Sequence, residues 1–172
     1  MKKTSIKLYN VIFPIWMLWL IPITWLAVLP ANFLIDLLVI VLTMKFMKVP
    51  NVKENAKRII LRVWICGFIA DFIGTMAMLI SNFINFNHNS KLDDWWYDNI
   101  QNAVTYNPFE SIYAILWVAV SILITSFFIY LFNYKFCLNK STLDSKQRKL
   151  LSLSLAIFTA PYLFYLPTYW FL

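Results

Sequence analysis

The chain has 172 residues, of which 61% are hydrophobic and only 13% are charged. A soluble domain carries roughly 45 to 50% apolar and about 25% charged residues, so this composition excludes a water-soluble globular protein. It also excludes a disordered chain, and a total of two glycines and two cysteines excludes collagen and a disulfide-rich scaffold. The composition predicts an all-α membrane protein that consists of one bundle of transmembrane helices.

Five stretches of the chain are apolar enough to cross a membrane as a helix, which takes about 20 residues. We predict membrane spans at residues 9–29, 31–46, 59–83, 111–132 and 150–172. The loops between them are too short for a second domain, so residues 1–172 form a single transmembrane domain. A cleaved signal peptide is the alternative for the first span, but Leu29 lies where cleavage requires a small residue.

The first two spans are almost continuous, and only Pro30 and the two residues after it indicate a reversal between them. Proline disfavours a helix at the preceding residue and can itself begin one. The charges favour the same division, because lysine and arginine in short loops mark the cytoplasmic side. With a turn at Pro30, the basic residues of segments 2–7, 45–58 and 135–149 all lie inside, and only Lys91 lies outside. We therefore predict five helices with a cytoplasmic N-terminus and an extracytoplasmic C-terminus.

The net charge of +7 does not predict nucleic-acid binding, because the predicted topology accounts for where the basic residues lie. The same residues can contact the anionic head groups of lipids. The location that fits this pattern is the plasma membrane of a bacterium, with the lipid bilayer as the main partner.

Asp71 lies near the middle of the third span, where a carboxylate costs about 2.5 to 3.5 kcal/mol to insert. It must therefore be protonated or paired. Gly67 and Gly74, the only glycines of the chain, lie on the same helix face as Asp71. Small residues beside a polar one are typical of a packing seam between membrane helices. A buried carboxyl can also take up and release a proton during transport, and both roles are compatible with this position.

In the second span, Asn32 and Asp36 are one helical turn apart and form a polar stripe with Thr43. Because this span is predicted to begin at residue 31, Asp36 should lie about 8 Å below the outer surface. We interpret Asn32 as the cap of the helix and Asp36 as a carboxylate close to water. Alternatively, Asp36 and the deeper Asp71 line an aqueous path that opens outward.

The other polar and proline residues of the spans carry less information. The hydroxyl groups of Ser121 and Thr125 are expected to bond to their own helix backbone. Four prolines can kink or open their helices in the first and fifth spans, namely Pro14, Pro22, Pro161 and Pro167.

Residues 84–110 form the one long loop, and carboxylates outnumber cations in it. Ser90 followed by Asp93 is typical of a helix N-terminus, and apolar residues then recur at helical spacing. We predict a short amphipathic helix that lies on the outer membrane surface, with Trp95 and Trp96 in the interfacial aromatic belt. Such a helix can also serve as a docking surface for a partner.

The chain contains no motif that names a reaction, such as HExxH, a P-loop or a dinucleotide-binding glycine pattern. His88 and the loop carboxylates match no metal-ligand spacing. Cys66 lies in the third span and Cys137 in an inside loop, where thiols stay reduced, so no disulfide is expected. We expect neither an enzyme nor a bound cofactor or metal.

These patterns favour a multi-pass, non-enzymatic accessory or interaction subunit of a membrane complex. Its packing seam would consist of Gly67, Asp71 and Gly74, and its partner would be another membrane protein or a second copy of the chain. The alternative is a small permease that moves a proton, a cation or a cationic solute by means of Asp71, with Asp36 nearer the outside.

Overall fold

The computed structural model describes residues 25–84, 86 and 90–168, and this part of the chain is all-helical, with no strand. Among the described residues, three helical segments are long and apolar enough to cross a membrane. They correspond to α1 (Trp25–Phe46), α2 (Val52–Phe83) and α5 (Ile112–Phe132), and the last of them continues to Lys140. The other α-helices are shorter, namely α3 (Lys91–Trp96), α4 (Asn102–Tyr106) and α6 (Ser145–Phe158).

Helix α1 runs through Pro30, so the predicted reversal at this residue is wrong. A membrane helix tolerates a proline when neighbouring groups compensate the lost hydrogen bond. The adjacent Leu29 carbonyl accepts a hydrogen bond from the Trp64 indole of α2 at 3.2 Å, which holds this part of α1 against α2.

The predicted first span extends over residues that the structure does not describe. Residues 1–24, with Pro14 and Pro22, lie outside the described part of the chain. The count of five spans and the cytoplasmic N-terminus therefore stay predictions.

Helix α2 packs against both α1 and α5, and α6 contacts the same two helices. It contains the predicted span 59–83 but begins earlier, at Val52. Its first turns are held by Asn55, whose amide nitrogen donates to the Pro50 carbonyl at 3.2 Å. The Asn55 amide oxygen accepts from the backbone N–H and the hydroxyl of Thr142, at 3.2 and 2.9 Å. This buried asparagine ties the α1–α2 loop to the connection between α5 and α6.

The contact between Asn55 and Thr142 brings two basic segments, 45–58 and 135–149, to the same end of the bundle. Their charge alone predicted that these segments lie on one side of the membrane. That this side is cytoplasmic stays a prediction.

Helix α5 matches the predicted span 111–132 almost residue for residue. The hydroxyl groups of Ser121 and Thr125 donate to the backbone carbonyls of Trp117 and Ser121, at 3.0 and 2.9 Å, as expected. The helical path then continues through a π-helical turn, Asn133–Cys137, and a 3-10 turn, Leu138–Lys140. Cys137 therefore lies on an extension of α5 and not in a loop.

The predicted continuous helix over residues 150–172 is wrong, because α6 ends at Phe158 and a 3-10 turn, Tyr162–Tyr165, follows. The break comes at Pro161, which has no N–H to offer the carbonyl four residues earlier and would clash with it in a helix. That carbonyl, of Ile157, accepts a hydrogen bond from the Tyr162 hydroxyl at 2.7 Å instead.

The segment after α6 nevertheless reaches the end of the bundle opposite to the basic loops. There, the Thr168 hydroxyl donates to the Thr105 carbonyl in α4 at 3.1 Å. Residues 169–172, the last of the predicted fifth span, lie outside the described part of the chain.

The helix predicted in the long loop is present and begins where expected, since the Ser90 hydroxyl accepts from the Asp93 N–H at 3.1 Å. A π-helical turn, Tyr97–Gln101, joins α3 to α4. The apolar side packs on the bundle: Ile100 and Val104 are buried, and the Trp96 indole donates to the Ser81 carbonyl at 3.1 Å. His88 lies outside the described residues.

The buried apolar side chains form two clusters. One lies toward the basic end and includes Ile40, Met44, Ile59 and Leu155. The other lies under α3 and α4, and its members include Met78, Val104, Val118 and Phe164. Along α2, the stretch from Asp71 to Thr75 lies between Ala70 of the first cluster and Met78 of the second. The polar residues of α2 therefore occupy the middle of the bundle.

The structure brings Cys66 of α2 and Cys137 together, with the two sulfur atoms 2.7 Å apart and both thiols free. A disulfide bond measures about 2.05 Å, so only a small shift is needed to form one. We predict that diamide, which accepts the two hydrogens of a thiol pair, will join Cys66 to Cys137 within one chain. The measurement is the loss of maleimide labelling in the denatured protein and its return after treatment with dithiothreitol.

The variants Cys66→Ser and Cys137→Ser are the matched controls, because each retains one thiol that cannot close an intramolecular bond. Labelling of both thiols in diamide-treated wild-type protein would show that α2 and the extension of α5 do not meet at this point.

Candidate functional site

Asp71 lies in the middle of α2, between the two apolar clusters. Its Oδ1 atom is buried and has no hydrogen-bond partner in the part of the chain that the structure describes. The Asp71 backbone carbonyl, by contrast, accepts a bond from the Thr75 hydroxyl at 3.1 Å. A buried carboxyl oxygen without a partner is costly, so Asp71 needs a proton, a cation or a donor from elsewhere.

Asp36 is buried at the middle of the 22-residue helix α1. Because α1 already includes Trp25, Asp36 lies about 16 Å along the helix from that residue, at about 1.5 Å per residue. The expectation that Asp36 lies near the start of its helix is therefore wrong. Asn32 lies inside α1 and is half-buried, so its predicted role as the helix cap is also wrong.

The two carboxyl groups face one another across the interface of α1 and α2. The Asp36 Oδ2 atom lies against Gly67, where it would be 3.8 Å from a Cβ atom. It is also close enough to Asp71, one turn further along α2, for the two carboxyls to interact electrostatically. We refer to Asp36 and Asp71 as the carboxyl pair. These two residues were expected at different depths in the membrane, whereas the structure brings their carboxyl groups close together.

Gly74 permits a close approach of α5 to α2. A Cβ atom at Gly74 would overlap the Thr125 hydroxyl oxygen and would lie 3.2 Å from a ring carbon of Phe164. At Gly67, the Asp36 carboxylate is the one described neighbour within 4 Å of such an atom. The two glycines, predicted to form one seam with Asp71, therefore face different neighbours, α5 and α1.

The chemistry of the carboxyl pair follows from its surroundings. Two negative charges in a low-dielectric interior repel strongly, so both cannot stay ionised without a positive charge nearby. In the described residues, no three histidine, cysteine or acidic side chains gather into a metal-binding group. The pair is suited to hold a proton or one weakly coordinated cation between its oxygen atoms.

Two features of this site differ from expectation. The position of Asp36 in the middle of α1 has a signal in residues 25–29, which are apolar and can extend the helix through Pro30. The contact of Gly74 with Thr125 and Phe164 had no comparable signal, because these residues are far from Gly74 in the chain and Phe164 follows a helix break.

No protein-family model, curated protein or solved structure matches the chain significantly.

We predict that Gly74→Ala destabilises the protein by about 1 to 3 kcal/mol, the usual cost of overpacking. The added methyl group must displace the Thr125 hydroxyl, which is buried and bonded to the Ser121 carbonyl at 2.9 Å. Gly67→Ala is the matched control, since its methyl group meets Asp36 at an ordinary contact distance of 3.8 Å. The midpoint of thermal unfolding in mild detergent measures both effects.

The double variant Gly74→Ala with Thr125→Ala should recover part of the lost stability, because it removes the hydroxyl group that the methyl group displaces. Equal unfolding midpoints for Gly74→Ala and Gly67→Ala would contradict the close approach of α2 and α5.

Proposed function

We propose that the protein is a small multi-pass permease of a bacterial plasma membrane that moves protons or a small cation, with the carboxyl pair as its binding site. The observation that carries this proposal is the proximity of the buried Asp36 and the half-buried Asp71 on neighbouring helices, with the buried Asp71 Oδ1 atom lacking a partner among the described residues. Ionisable side chains inside a membrane are expensive and commonly mark ion pathways or proton relays.

The proposal accounts for features that a purely structural role leaves unexplained. A carboxyl group that only locks a bundle should hydrogen-bond to a neighbouring helix, whereas Asp71 Oδ1 has no such bond in the described chain. A second carboxyl beside it adds repulsion and no donor. A mobile proton or cation relieves both problems and can leave again, as transport requires. The proposal includes no catalysis, in keeping with the lack of a catalytic motif in the sequence.

A second candidate is an accessory subunit of a membrane complex, and the surroundings of Gly67 favour it. A Cβ atom there would have only the Asp36 carboxylate within 4 Å among the described residues. A helix of another chain could approach α2 beside the half-buried Gly67 and donate a hydrogen bond to Asp71. Under this candidate, the carboxyl pair recognises a partner and moves no ion.

For the permease, we predict that Asp71→Asn and Asp36→Asn each lower proton or cation uptake at least about tenfold, the factor that corresponds to about 1.4 kcal/mol. The amide keeps the shape and hydrogen bonding of the side chain but cannot ionise. The purified full chain is placed in liposomes with a trapped pH-sensitive dye, and uptake is driven by an imposed potential. Uptake of potassium and sodium is measured in parallel.

Asp94→Asn is the matched control, because Asp94 is an exposed residue of α3 and its loss should leave uptake unchanged. Wild-type uptake by Asp71→Asn, or wild-type protein no more active than empty liposomes, would refute the permease.

For the accessory subunit, we predict that the native protein extracted in mild detergent migrates as a defined complex with a second membrane protein. Gly67→Leu should abolish the complex, because the larger side chain prevents the close approach of a partner helix to α2, while Asp71→Asn should retain it. Native mass and identification of the co-purifying chains provide the measurement. A monomer or a pure homo-oligomer would argue against this candidate.

A further inference from the structure

A groove of about 490 Å³ lies between the C-terminal half of α1 and the first turns of α2. Neither Asp36 nor Asp71 lines it, and most of the residues that do are apolar.

The α1 wall of the groove is a single stripe of residues spaced four apart. Phe33, Leu37 and Val41 provide an apolar surface, and Lys45 in the last turn of α1 ends it. From Phe33 to Lys45 the stripe is about 18 Å long at about 1.5 Å per residue. The groove therefore has an apolar wall that runs from the basic end toward the middle of the bundle.

The α2 wall adds positive charge at the same end. Lys53 and Lys57 are one turn apart at the start of α2, opposite Lys45, and all three are exposed. In the whole segment 45–58, five basic side chains face a single carboxylate, Glu54. The mouth of the groove thus carries a concentrated positive charge, while the long stems of the lysines can lie along its apolar walls.

The N-terminus of α2 strengthens this preference for an anion. Asn51, the cap residue, lies in a left-handed conformation with φ 52° and makes no side-chain hydrogen bond to the first turn. The Asn51 side chain therefore accepts no hydrogen bond from the backbone N–H groups at the start of α2. These N–H groups are the positive end of the helix dipole, and they lie close to Lys53.

We propose that this groove binds an anionic phospholipid, with the phosphate of the head group between Lys45, Lys53 and Lys57 and an acyl chain along the stripe from Val41 to Phe33. The occupant must be negatively charged at one end and apolar along its length, and a membrane supplies such a molecule in high concentration. A free phosphate would satisfy the lysines but would leave the apolar length of the groove empty.

Residues 1–24 contain three lysines and no carboxylate, so their side chains carry no negative charge that would complement Lys45, Lys53 and Lys57. A lipid head group is the occupant with complementary charge.

The test is native mass spectrometry of the full-length protein from nanodiscs made of equal amounts of phosphatidylglycerol and phosphatidylcholine. Wild-type protein should retain phosphatidylglycerol in preference to phosphatidylcholine. The triple variant Lys45→Gln, Lys53→Gln, Lys57→Gln should bind phosphatidylglycerol about a hundredfold more weakly, since each lysine contributes to attraction of an anionic lipid.

Two controls separate the site from general attraction to a charged surface. The triple variant Lys140→Gln, Lys146→Gln, Lys149→Gln removes the same charge from the other basic segment and should retain the lipid as wild type does. Val41→Trp keeps every charge but fills the groove, and it should lower lipid retention at least about tenfold. Circular dichroism melting of each variant identifies any that fails to fold, and Leu37→Trp then replaces Val41→Trp.

Three outcomes would overturn the proposal. The first is equal retention of phosphatidylglycerol by the two triple lysine variants. The second is displacement of the lipid by inorganic phosphate, at the same concentration, from the wild-type protein and from the variant with Lys140, Lys146 and Lys149 replaced, which would indicate a phosphate site at the groove. The third is wild-type protein with no preference for phosphatidylglycerol, which would leave another protein segment or a second copy as the occupant.

Discussion

The close approach of α2 and α5 at Gly74 is the contact on which the rest of the bundle depends. The Thr125 hydroxyl and the Phe164 ring occupy the space that any side chain at Gly74 would need. This contact sets the rotation of α2 about its axis and so orients Asp71, one turn earlier. It also leaves Gly67, two turns earlier, facing α1, where the Asp36 carboxylate lies against it. The geometry of the carboxyl pair therefore depends on the packing of α2 against α5.

The carboxyl pair and the lysine-lined groove are built from the same two helices. Asp36 lies between Phe33 and Leu37 in the sequence of α1, and both of these residues line the groove. A change in the separation of α1 and α2 would therefore alter both places at once. The Trp64 indole, which bonds to the Leu29 carbonyl at 3.2 Å, restrains this separation toward the opposite end of α1.

Features that depend on neighbouring residues were predictable from the sequence. The bounds of α5, the start of α3 at Ser90 and the backbone bonds of Ser121 and Thr125 agree with expectation. Hydropathy and capping act over a few residues, so a linear pattern contains the information. The start of α6 is another local feature of this kind, because Asp144 and Gln147 form a capping box there.

The effect of a proline on a helix was not predictable from neighbouring residues. Pro30 lies inside a helix, whereas Pro161 follows the end of one. Proline has opposite effects at these two positions because its surroundings differ. They decide whether the carbonyl that loses its helical hydrogen bond finds another donor, and whether packing keeps the chain helical. By itself, the sequence determined the helical membrane class, the position of α5 and the presence of strongly basic segments. Only the tertiary structure decided the position of Asp36 in the middle of α1, its proximity to Asp71 and the neighbours of each glycine. The physical reason is that the environment of a buried polar group consists of atoms from helices that are distant in the chain.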